Sequence, residues 1–333
     1  MKQLSLLVLL CVASLGVYAK SSGNDSEFKP KGKPIVRIFA DWHTGFGEVS
    51  NVSGFEIQRA LLGYSYQFSP RWSGQVVLDT GNPKNGGFEE TAYLRKAFFT
   101  YKHSTFQASL GIIGLKQFKE QENNWGYRYI YKSAMDEYKF NNSVDAGLFI
   151  RKQFKSWFAA DITISNGEGA KKAQDDQGKY RYGLGASLYP TEHFSIRTYV
   201  DYFIAPDSED GTESFNQSSY ALFAGYKNKD WSFGLEYDYG QNFKFDQNNN
   251  KDIFSIYSTV NIDSKFKVFA RYDFYNNHEE SYKEDNENVF LSGFQYIPCK
   301  GIKIAPNYRW VHHENSPKLK NENYFYLNLE LKL

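Results

Sequence analysis

The chain has 333 residues, and its 39 basic and 38 acidic side chains give a formal charge of +1 at pH 7. This balance excludes the basic surface that nucleic-acid binding requires, so we expect no nucleic-acid partner. Tyrosine (26) and phenylalanine (28) are abundant, which favours strands and membrane interfaces. Beyond the first segment there is no run of about 18 apolar residues, which excludes a helical membrane protein.

The first segment has the pattern of a secretory signal. Lys2 precedes an apolar stretch over residues 4–17, and Val17-Tyr18-Ala19 provides a small-residue cleavage site. We therefore expect residues 1–19 to be a cleaved signal peptide and residues 20–33 to be an N-terminal periplasmic segment.

From about Pro34 the sequence repeats a unit of two strands. Polar turns precede strands that open on an aromatic or aliphatic residue, at Trp72, Phe106, Trp157, Phe194, Trp231, Phe266 and Ile302. The intervals between these starts are 34, 51, 37, 37, 35 and 36 residues. Each interval accommodates two strands of about ten residues, a tight turn and a longer loop. Seven tight turns and eight longer loops predict an all-β fold, a 16-stranded antiparallel barrel over residues 34–333.

Alternation within the strands separates an apolar face from a polar face. In the last ten residues, Phe325, Leu329 and Leu331 share one face, while Asn328 and Glu330 share the other. A free edge on such a strand would recruit other chains, so closure of the sheet is favoured. The strands over 91–102 and 286–297 alternate poorly, and the pattern does not assign their faces.

A soluble β-sandwich would also alternate, so alternation alone does not indicate a membrane protein. The signal, the aromatic residues at strand ends and the alternation of short and long connections favour a transmembrane barrel. Its short turns would face the periplasm and its longer loops the exterior.

Sixteen strands leave an aqueous channel rather than a filled interior. The predicted inner faces carry ten basic and nine acidic residues. The candidate pore-lining residues are Arg37, Asp41, Arg59, Asp145, Arg151, Arg181, Arg197, Asp201, Glu236, Asp238, Arg271, Asp273 and Arg309. Because both signs occur, selectivity should be weak unless the two signs segregate across a constriction. The alternative for each charge is an ion pair within the wall or with a loop.

The oversized interval of 51 residues contains a long third loop, residues 115–141. Tyr127, Tyr131, Ala134 and Tyr138 follow helical spacing, which predicts a short helix. An exposed loop this rich in aromatic residues would form a sticky patch, so we predict that it folds into the lumen. The candidate constriction residues are Trp125, Tyr127, Arg128, Tyr131, Lys132, Asp136 and Glu137. An outward lid or a loop that contacts a partner is the alternative.

Two neighbouring segments resemble a known family. Leu94-Arg95-Lys96-Ala97-Phe98-Phe99, followed by Gly114-Leu115-Lys116-Gln117-Phe118, resembles the phosphate-selective porin O/P-like outer-membrane proteins, including porin-like proteins of Bacteroidota. The resemblance implies passive transport of small hydrophilic solutes or ions, an outer-membrane location and assembly as a homotrimer. It does not carry over phosphate selectivity, because the wall lacks a dense basic ladder. The expected partners include outer-membrane lipid, lipopolysaccharide and the barrel-assembly machinery, which would act on the C-terminal strand.

The sequence gives little support to an enzyme. There is no Gly-x-Ser-x-Gly and no glycine loop that would bind phosphate, and His312 and His313 diverge from each other in a strand. We therefore predict no catalytic residue, no cofactor and no metal site. The main rival to a porin is a barrel with a blocked lumen that acts in adhesion or scaffolding. A soluble secreted glycan-binding β-protein is a more distant alternative.

Overall fold

The computed structural model describes residues 28–81, 91–172, 178–207, 213–279, 286–314 and 319–333. The predicted signal peptide, residues 1–19, lies outside these ranges. Within them, sixteen antiparallel strands form a closed barrel in which each strand pairs with its neighbours in sequence and the last pairs with the first. The predicted 16-stranded antiparallel barrel is therefore confirmed.

The strands are β1 (Lys31–Phe46), β2 (Ser53–Gln67), β3 (Trp72–Gly81), β4 (Thr91–His103), β5 (Phe106–Gly114), β6 (Val144–Lys155), β7 (Phe158–Ser165), β8 (Arg181–Leu188), β9 (Phe194–Phe203), β10 (Gln217–Lys227), β11 (Trp231–Gln241), β12 (Lys251–Asn261), β13 (Phe266–Asn277), β14 (Glu287–Cys299), β15 (Ile302–His313) and β16 (Glu322–Lys332). Two short α-helices, α1 (Lys119–Trp125) and α2 (Ala134–Glu137), lie between β5 and β6. In the part of the chain that is described, no helix has the length and apolarity needed to cross a membrane.

Six of the seven predicted strand starts coincide with the observed ones, and β7 begins at Phe158, one residue after the predicted start. The tight turns explain this regularity. The backbone N–H that opens β3, β9, β11 or β13 donates to a polar turn side chain, namely Ser69, Thr191, Asn228 and Asp263 respectively. These side chains replace the hydrogen bond that a turn leaves unmade, so the turn residue fixes where the strand starts. The first strand begins at Lys31, slightly before the predicted Pro34.

The barrel closes through β1 and β16, with Asp41 opposite Asn328 and Ala40 opposite Leu329. On β16 the polar side chains of Asn328 and Glu330 are buried inside the barrel, whereas Leu329 and Leu331 are exposed on the outside. The period-two pattern of the last strand therefore has the polarity that the sequence predicts.

The two strands that alternate poorly do so for different reasons. In β4, Val77 of β3 pairs with Lys96 and Leu78 pairs with Leu94, so Arg95 is the extra residue of a β-bulge. In β14, Val289 and Leu291 are apolar yet face inward and are fully buried. Leu291 packs against the third loop, so this strand is apolar on both faces and shows no alternation.

The outer face of the barrel is a continuous apolar surface. Phe99 and Leu110 are neighbours across β4 and β5, and each exposes 62% of its surface. Ile162, Leu184 and Val200 continue the surface across β7, β8 and β9. An exposed apolar surface of this extent is unfavourable in water and suits hydrocarbon.

Candidate channel constriction

The third loop lies inside the barrel, where its side chains form much of the core. Tyr129, Ala134 and Met135 are fully buried, and Trp125 exposes only 1% of its surface. Trp125 contacts Tyr127, Tyr257 and Phe269 at ring-centroid distances of 5.0, 5.1 and 6.0 Å. Aromatic contacts of this kind add to the free energy gained by burial, so the loop is packed as a core element rather than left as a free loop.

The helices of the loop differ from the predicted one. The spacing over 127–138 predicts one short helix, but only Ala134–Glu137 of that range is an α-helix. The longer helix, α1, lies earlier and ends at Trp125, and it is capped by Gly126, whose φ of 77° is the left-handed conformation that ends a helix. Tyr127 and Tyr138 do not lie on a common helix. Their rings therefore contact different wall residues, Phe269 and Tyr275 respectively.

Basic side chains of the wall fasten the loop by donating to its backbone carbonyls. Lys227 donates to Asn123 (2.8 Å) at the tight-turn end of β10. Lys251 donates to Tyr138 (2.7 Å) at the long-loop end of β12. Three arginines of the wall likewise donate to backbone carbonyls of the loop: Arg197 to Gln117, Arg271 to Lys132 and Arg309 to Ile130. Three predicted pore-lining residues, Arg197, Arg271 and Arg309, therefore hold the loop in place.

The fastening covers only one side of the barrel. Hydrogen bonds join the loop to every strand from β9 to β16, including Asn124 to the Phe233 carbonyl and Tyr129 to Gln295. Among the described residues, no hydrogen bond joins residues 116–140 to β1–β4. Phe39 of β1 contacts Tyr129 at a ring-centroid distance of 6.3 Å. The loop is thus attached to the half of the wall that β9–β16 form, and β1–β4 face it across the lumen.

Charges within the loop bind one another. Arg128 donates to Glu122 at 2.8 Å and also binds Asp136, and Lys132 donates to Glu137 at 3.2 Å. Burial raises the pKa of the Glu122 carboxyl, but the charges of Arg128 and Lys119 outweigh burial and lower the pKa to about 2. Glu122 is therefore ionised at neutral pH. Arg128 points into the loop rather than into the lumen.

The wall opposite the loop presents partly exposed bases. The side chains of Arg37 and Arg59 expose 30% and 17% of their surface, and Arg151, whose guanidinium lies 3.9 Å from Glu120 of the loop, exposes 24%. On the loop, Lys119 exposes 43% of its side chain. The acidic partners Glu330 and Asp79 are almost fully buried. Glu120 and Glu137 of the loop are also partly exposed, at 23% and 27%, and pair with Arg151 and Lys132. The accessible charge on this side is therefore mostly positive.

Most of the other predicted pore-lining residues face inward but are buried: Asp41, Asp145, Arg181, Arg197, Asp201, Glu236, Asp238, Arg271 and Asp273. Pairing explains several of these burials, as in Arg181–Asp201 (3.0 Å) and Arg271–Asp273 (2.6 Å). Asp145 accepts hydrogen bonds from the backbone N–H groups of Gly167 and Gly169. The two ion pairs agree with the alternative given for each inward charge, in which it pairs within the wall rather than acting on permeating ions.

Two acidic residues have each other as partners. The carboxyl groups of Glu236 and Asp238, on the inner face of β11, lie next to each other, and the backbone N–H of Met135 approaches Glu236. Both lie under the third loop on the side where it is fastened.

One group of side chains has the composition of a metal site. Ligand atoms of Asp41, His43 and Glu56 lie within 4.8 Å of one another. The two oxygens of Asp41 already interact with His43 (2.8 Å) and Gln58 (2.5 Å), so hydrogen bonds satisfy this carboxylate.

The pattern of the sequence did not assign Arg95 and Lys96 to the lumen. Strict alternation would place one of two adjacent bases in lipid, which is costly, so the pair itself is a signal of a bulge. The observed bulge at Arg95 lets its guanidinium bind Asp79 (3.2 Å) inside the barrel.

No protein-family model and no curated protein matches this sequence. Solved structures with a similar fold include OmpF of Salmonella typhi in complex with daunomycin, with a TM-score of 0.69, 12% identity, and coverage of 94% of this chain and 99% of that chain. An anion-selective porin from Comamonas acidovorans has a TM-score of 0.68 and 8% identity, covering 92% of this chain and 100% of that chain. The trimer form of OmpT, an outer-membrane protein of Vibrio cholerae, has a TM-score of 0.66 and 12% identity, and the match covers 92% of this chain and 100% of that chain. At these identities the likeness shows the barrel fold, and the resemblance to the O/P-like family stays a prediction.

Proposed function

We propose that this protein is an outer-membrane porin that lets small hydrophilic solutes and ions diffuse passively through a water-filled barrel. The observation that carries the proposal is the one-sided fastening of the third loop. Hydrogen bonds hold the loop to β9–β16, while the side that faces β1–β4 presents partly exposed charged side chains. A loop held in this way narrows a barrel and leaves a passage beside itself.

The outer surface supports a membrane location. The belt of exposed apolar side chains matches the lipid-facing band of an outer-membrane barrel. Solute flow would then connect the periplasm with the exterior, and lipid and lipopolysaccharide would surround the barrel. We further propose a homotrimer, which the trimer form of the Vibrio cholerae protein supports, and assembly through β16, which closes the barrel.

The charge of the passage favours anions. Arg37, Arg59, Arg151 and Lys119 are accessible, and Glu330 and Asp79 are buried in ion pairs, so the partly exposed acids Glu120 and Glu137 offset only part of this charge. A ring of positive charge at a constriction attracts anions and repels cations. Guanidinium groups also match carboxylate and phosphate geometry. We therefore propose filtering by size with a preference for anions.

One observation favours a barrel with a blocked lumen that serves adhesion or scaffolding. The aromatic core of the loop reaches from Phe269 on β13 to Phe39 on β1, which fills a wide part of the interior.

Planar-bilayer recording separates the two functions. Pure protein, refolded and checked for heat-modifiable gel mobility, should give discrete conductance steps that scale with salt concentration. Folded protein that gives no steps would reject the porin and favour the blocked barrel.

A further inference from the structure

A cavity of about 560 Å³ lies at the long-loop rim of the barrel. The lining includes the end of the third loop with the start of β6 (residues 139–144), part of the connection between β7 and β8 (residues 167–172) and the turn at residues 243–245. Its volume lies within the range of about 300–1,000 Å³ that small-molecule sites occupy. No step of the proposed diffusion requires a cavity of this size beside the passage.

The cavity is strongly basic. Among the described residues that line it, seven are basic: Arg95, Lys139, Lys171, Lys172, Lys179, Arg181 and Lys244. Only Asp136 and Glu168 are acidic, and Asp136 binds Arg128 of the third loop. Clefts lined by one sign of charge concentrate ligands of the opposite sign, so the cavity attracts anions.

Two of the lysines are placed to meet a ligand. Lys139 is exposed, and within the described part of the chain it has no carboxylate at ion-pair distance. Lys171 is also exposed and lies over the ring of Tyr93, with its ammonium 5.0 Å from the ring centroid. By contrast, Arg181 is bound to Asp201 at 3.0 Å. The charge available to an incoming anion is therefore that of Lys139 and Lys171.

Aromatic rings form the apolar part of the cavity. Tyr93, Phe243 and Phe245 are partly exposed and line the space. Phe140 and Phe203 are buried behind them, and Phe203 meets Phe245 edge to face with ring centroids 5.0 Å apart. Rings that pack edge to face or in offset stacks can accept a further ring in the same geometry. The cavity thus combines an apolar aromatic surface with accessible positive charge.

We propose that this cavity binds organic anions that carry an aromatic ring, such as aryl carboxylates and aryl sulfonates. The proposal deepens the porin function and rests on it, because binding at the rim would raise the concentration of such anions above the constriction. A small anion without a ring would miss the apolar contacts, and a neutral ring would miss the two lysines.

The test measures binding to the full-length barrel in nanodiscs by isothermal titration calorimetry with three probes. These are 2-naphthalenesulfonate, methanesulfonate (an anion without a ring) and 2-naphthalenemethanol (a ring without charge). Naphthalenesulfonate should bind at least about tenfold more tightly than either of the others, equivalent to about 1.4 kcal/mol. Equal binding of naphthalenesulfonate and methanesulfonate would overturn the proposal.

A pair of matched variants locates the site. Lys139→Gln with Lys171→Gln should weaken naphthalenesulfonate binding by about tenfold. Lys229→Gln with Lys265→Gln removes the same charge from two tight turns and should leave binding unchanged. Equal loss in both pairs would show that net charge alone attracts the probe, which would overturn the assigned site.

Conductance of the same preparations keeps the two proposals distinguishable. A conducting barrel that does not select naphthalenesulfonate would overturn the cavity site and leave the porin intact. A barrel that binds the probe through Lys139 and Lys171 but never conducts would support the site and reject the porin.

Discussion

The accessible arginines of the passage share their acidic partners with a second base. Glu330 binds Arg37 and also Lys303, and Asp79 binds Arg59 and also Arg95. Removing Arg37 or Arg59 therefore leaves each carboxylate still paired, so the change removes charge from the passage without leaving a buried carboxylate alone. Arg128 lacks this property because Asp136, one of its two partners, binds no second base among the described residues, although Lys119 would still pair with Glu122.

Replacing Arg37 and Arg59 with Gln together should shift the reversal potential in a salt gradient toward cations. A unit charge about 8 Å from a permeating ion in water contributes about 0.5 kcal/mol, so two charges should change the permeability of each ion about fivefold, in opposite directions for cations and anions. The control Lys229→Gln with Lys265→Gln, at the tight-turn rim, should leave the permeability ratio unchanged. A reversal potential equal to that of the wild type would show that neither arginine filters ions.

Gly225 on β10 is the residue against which the tip of the loop packs. A Cβ at this position would clash with Nδ2 of Asn124 and with the ring of Phe223. Asn124 is buried and donates to the Phe233 carbonyl at 3.0 Å, so its side chain cannot move without losing that bond. The close approach requires glycine for space rather than for backbone conformation.

Gly225→Ala should therefore loosen the tip of the loop and lower the free energy of unfolding by about 1–3 kcal/mol. Open-channel current should become noisier as the loop fluctuates. Gly54→Ala is the matched control, because no atom lies within 4 Å of the corresponding Cβ. If the Gly225 variant equals the Gly54 variant in urea unfolding and current noise, the contact is not part of the folded state.

At the scale of the elements, the sequence predicts strands far better than it predicts the loop. Period two and polar turns locate strand starts because both are local, as the bond from Asp263 to the N–H of Phe266 illustrates. The position of α1 was not predicted, since its residues follow contacts with distant strands, such as that of Gln121 with Tyr257. The sequence also does not tell whether an inward base such as Arg309 meets water or a loop carbonyl.

Deleting residues 120–138 should raise single-channel conductance severalfold, because the deletion removes both helices and the aromatic core from the lumen. Heat-modifiable mobility would verify that the shortened barrel folds. Shortening the β13–β14 connection by residues 281–285 serves as the control and should leave conductance unchanged. Equal conductance of the 120–138 deletion and the wild type would place the loop outside the conducting path.

The ion pairs of the loop predict how it responds to acid. The pKa of Glu122 in the folded protein, about 2, lies below its ordinary value of 4.5. A lowered pKa stabilises the fold above the ordinary value, and this stabilisation, on the order of 3 kcal/mol, is lost as pH falls toward 2. The part of the conductance that depends on Glu122 should therefore stay constant between pH 7 and pH 5 and change between pH 4 and pH 2.

The variant Glu122→Gln isolates this response. At pH 7 it should change conductance in the direction in which acid changes that of the wild type, because Arg128 and Lys119 lose the same partner in both cases. Glu48→Gln, in the connection between β1 and β2, is the control. A Glu122 variant whose conductance keeps the full acid response of the wild type would assign that response to another group.

At the scale of the whole molecule, the barrel places its apolar surface outside and its charges inside, the reverse of a soluble protein. Leu222 lies at the middle of β10, and it exposes 55% of its surface on the outer face. Val260 lies near the tight-turn end of β12 and exposes 46%. The two residues have similar exposure and differ in height on the barrel.

Arginine at each position tests where the barrel resides. In a bilayer, Leu222→Arg should reduce the free energy of unfolding by about 2–4 kcal/mol, since it puts a charge at mid-depth, whereas Val260→Arg should cost only about 0–1 kcal/mol near the interface. Unfolding by guanidinium in lipid vesicles measures both. If both positions faced water, neither arginine would lower the free energy of unfolding appreciably. Two small and equal decreases, together with improved solubility in the absence of detergent, would therefore contradict a membrane barrel and the transport function that depends on it.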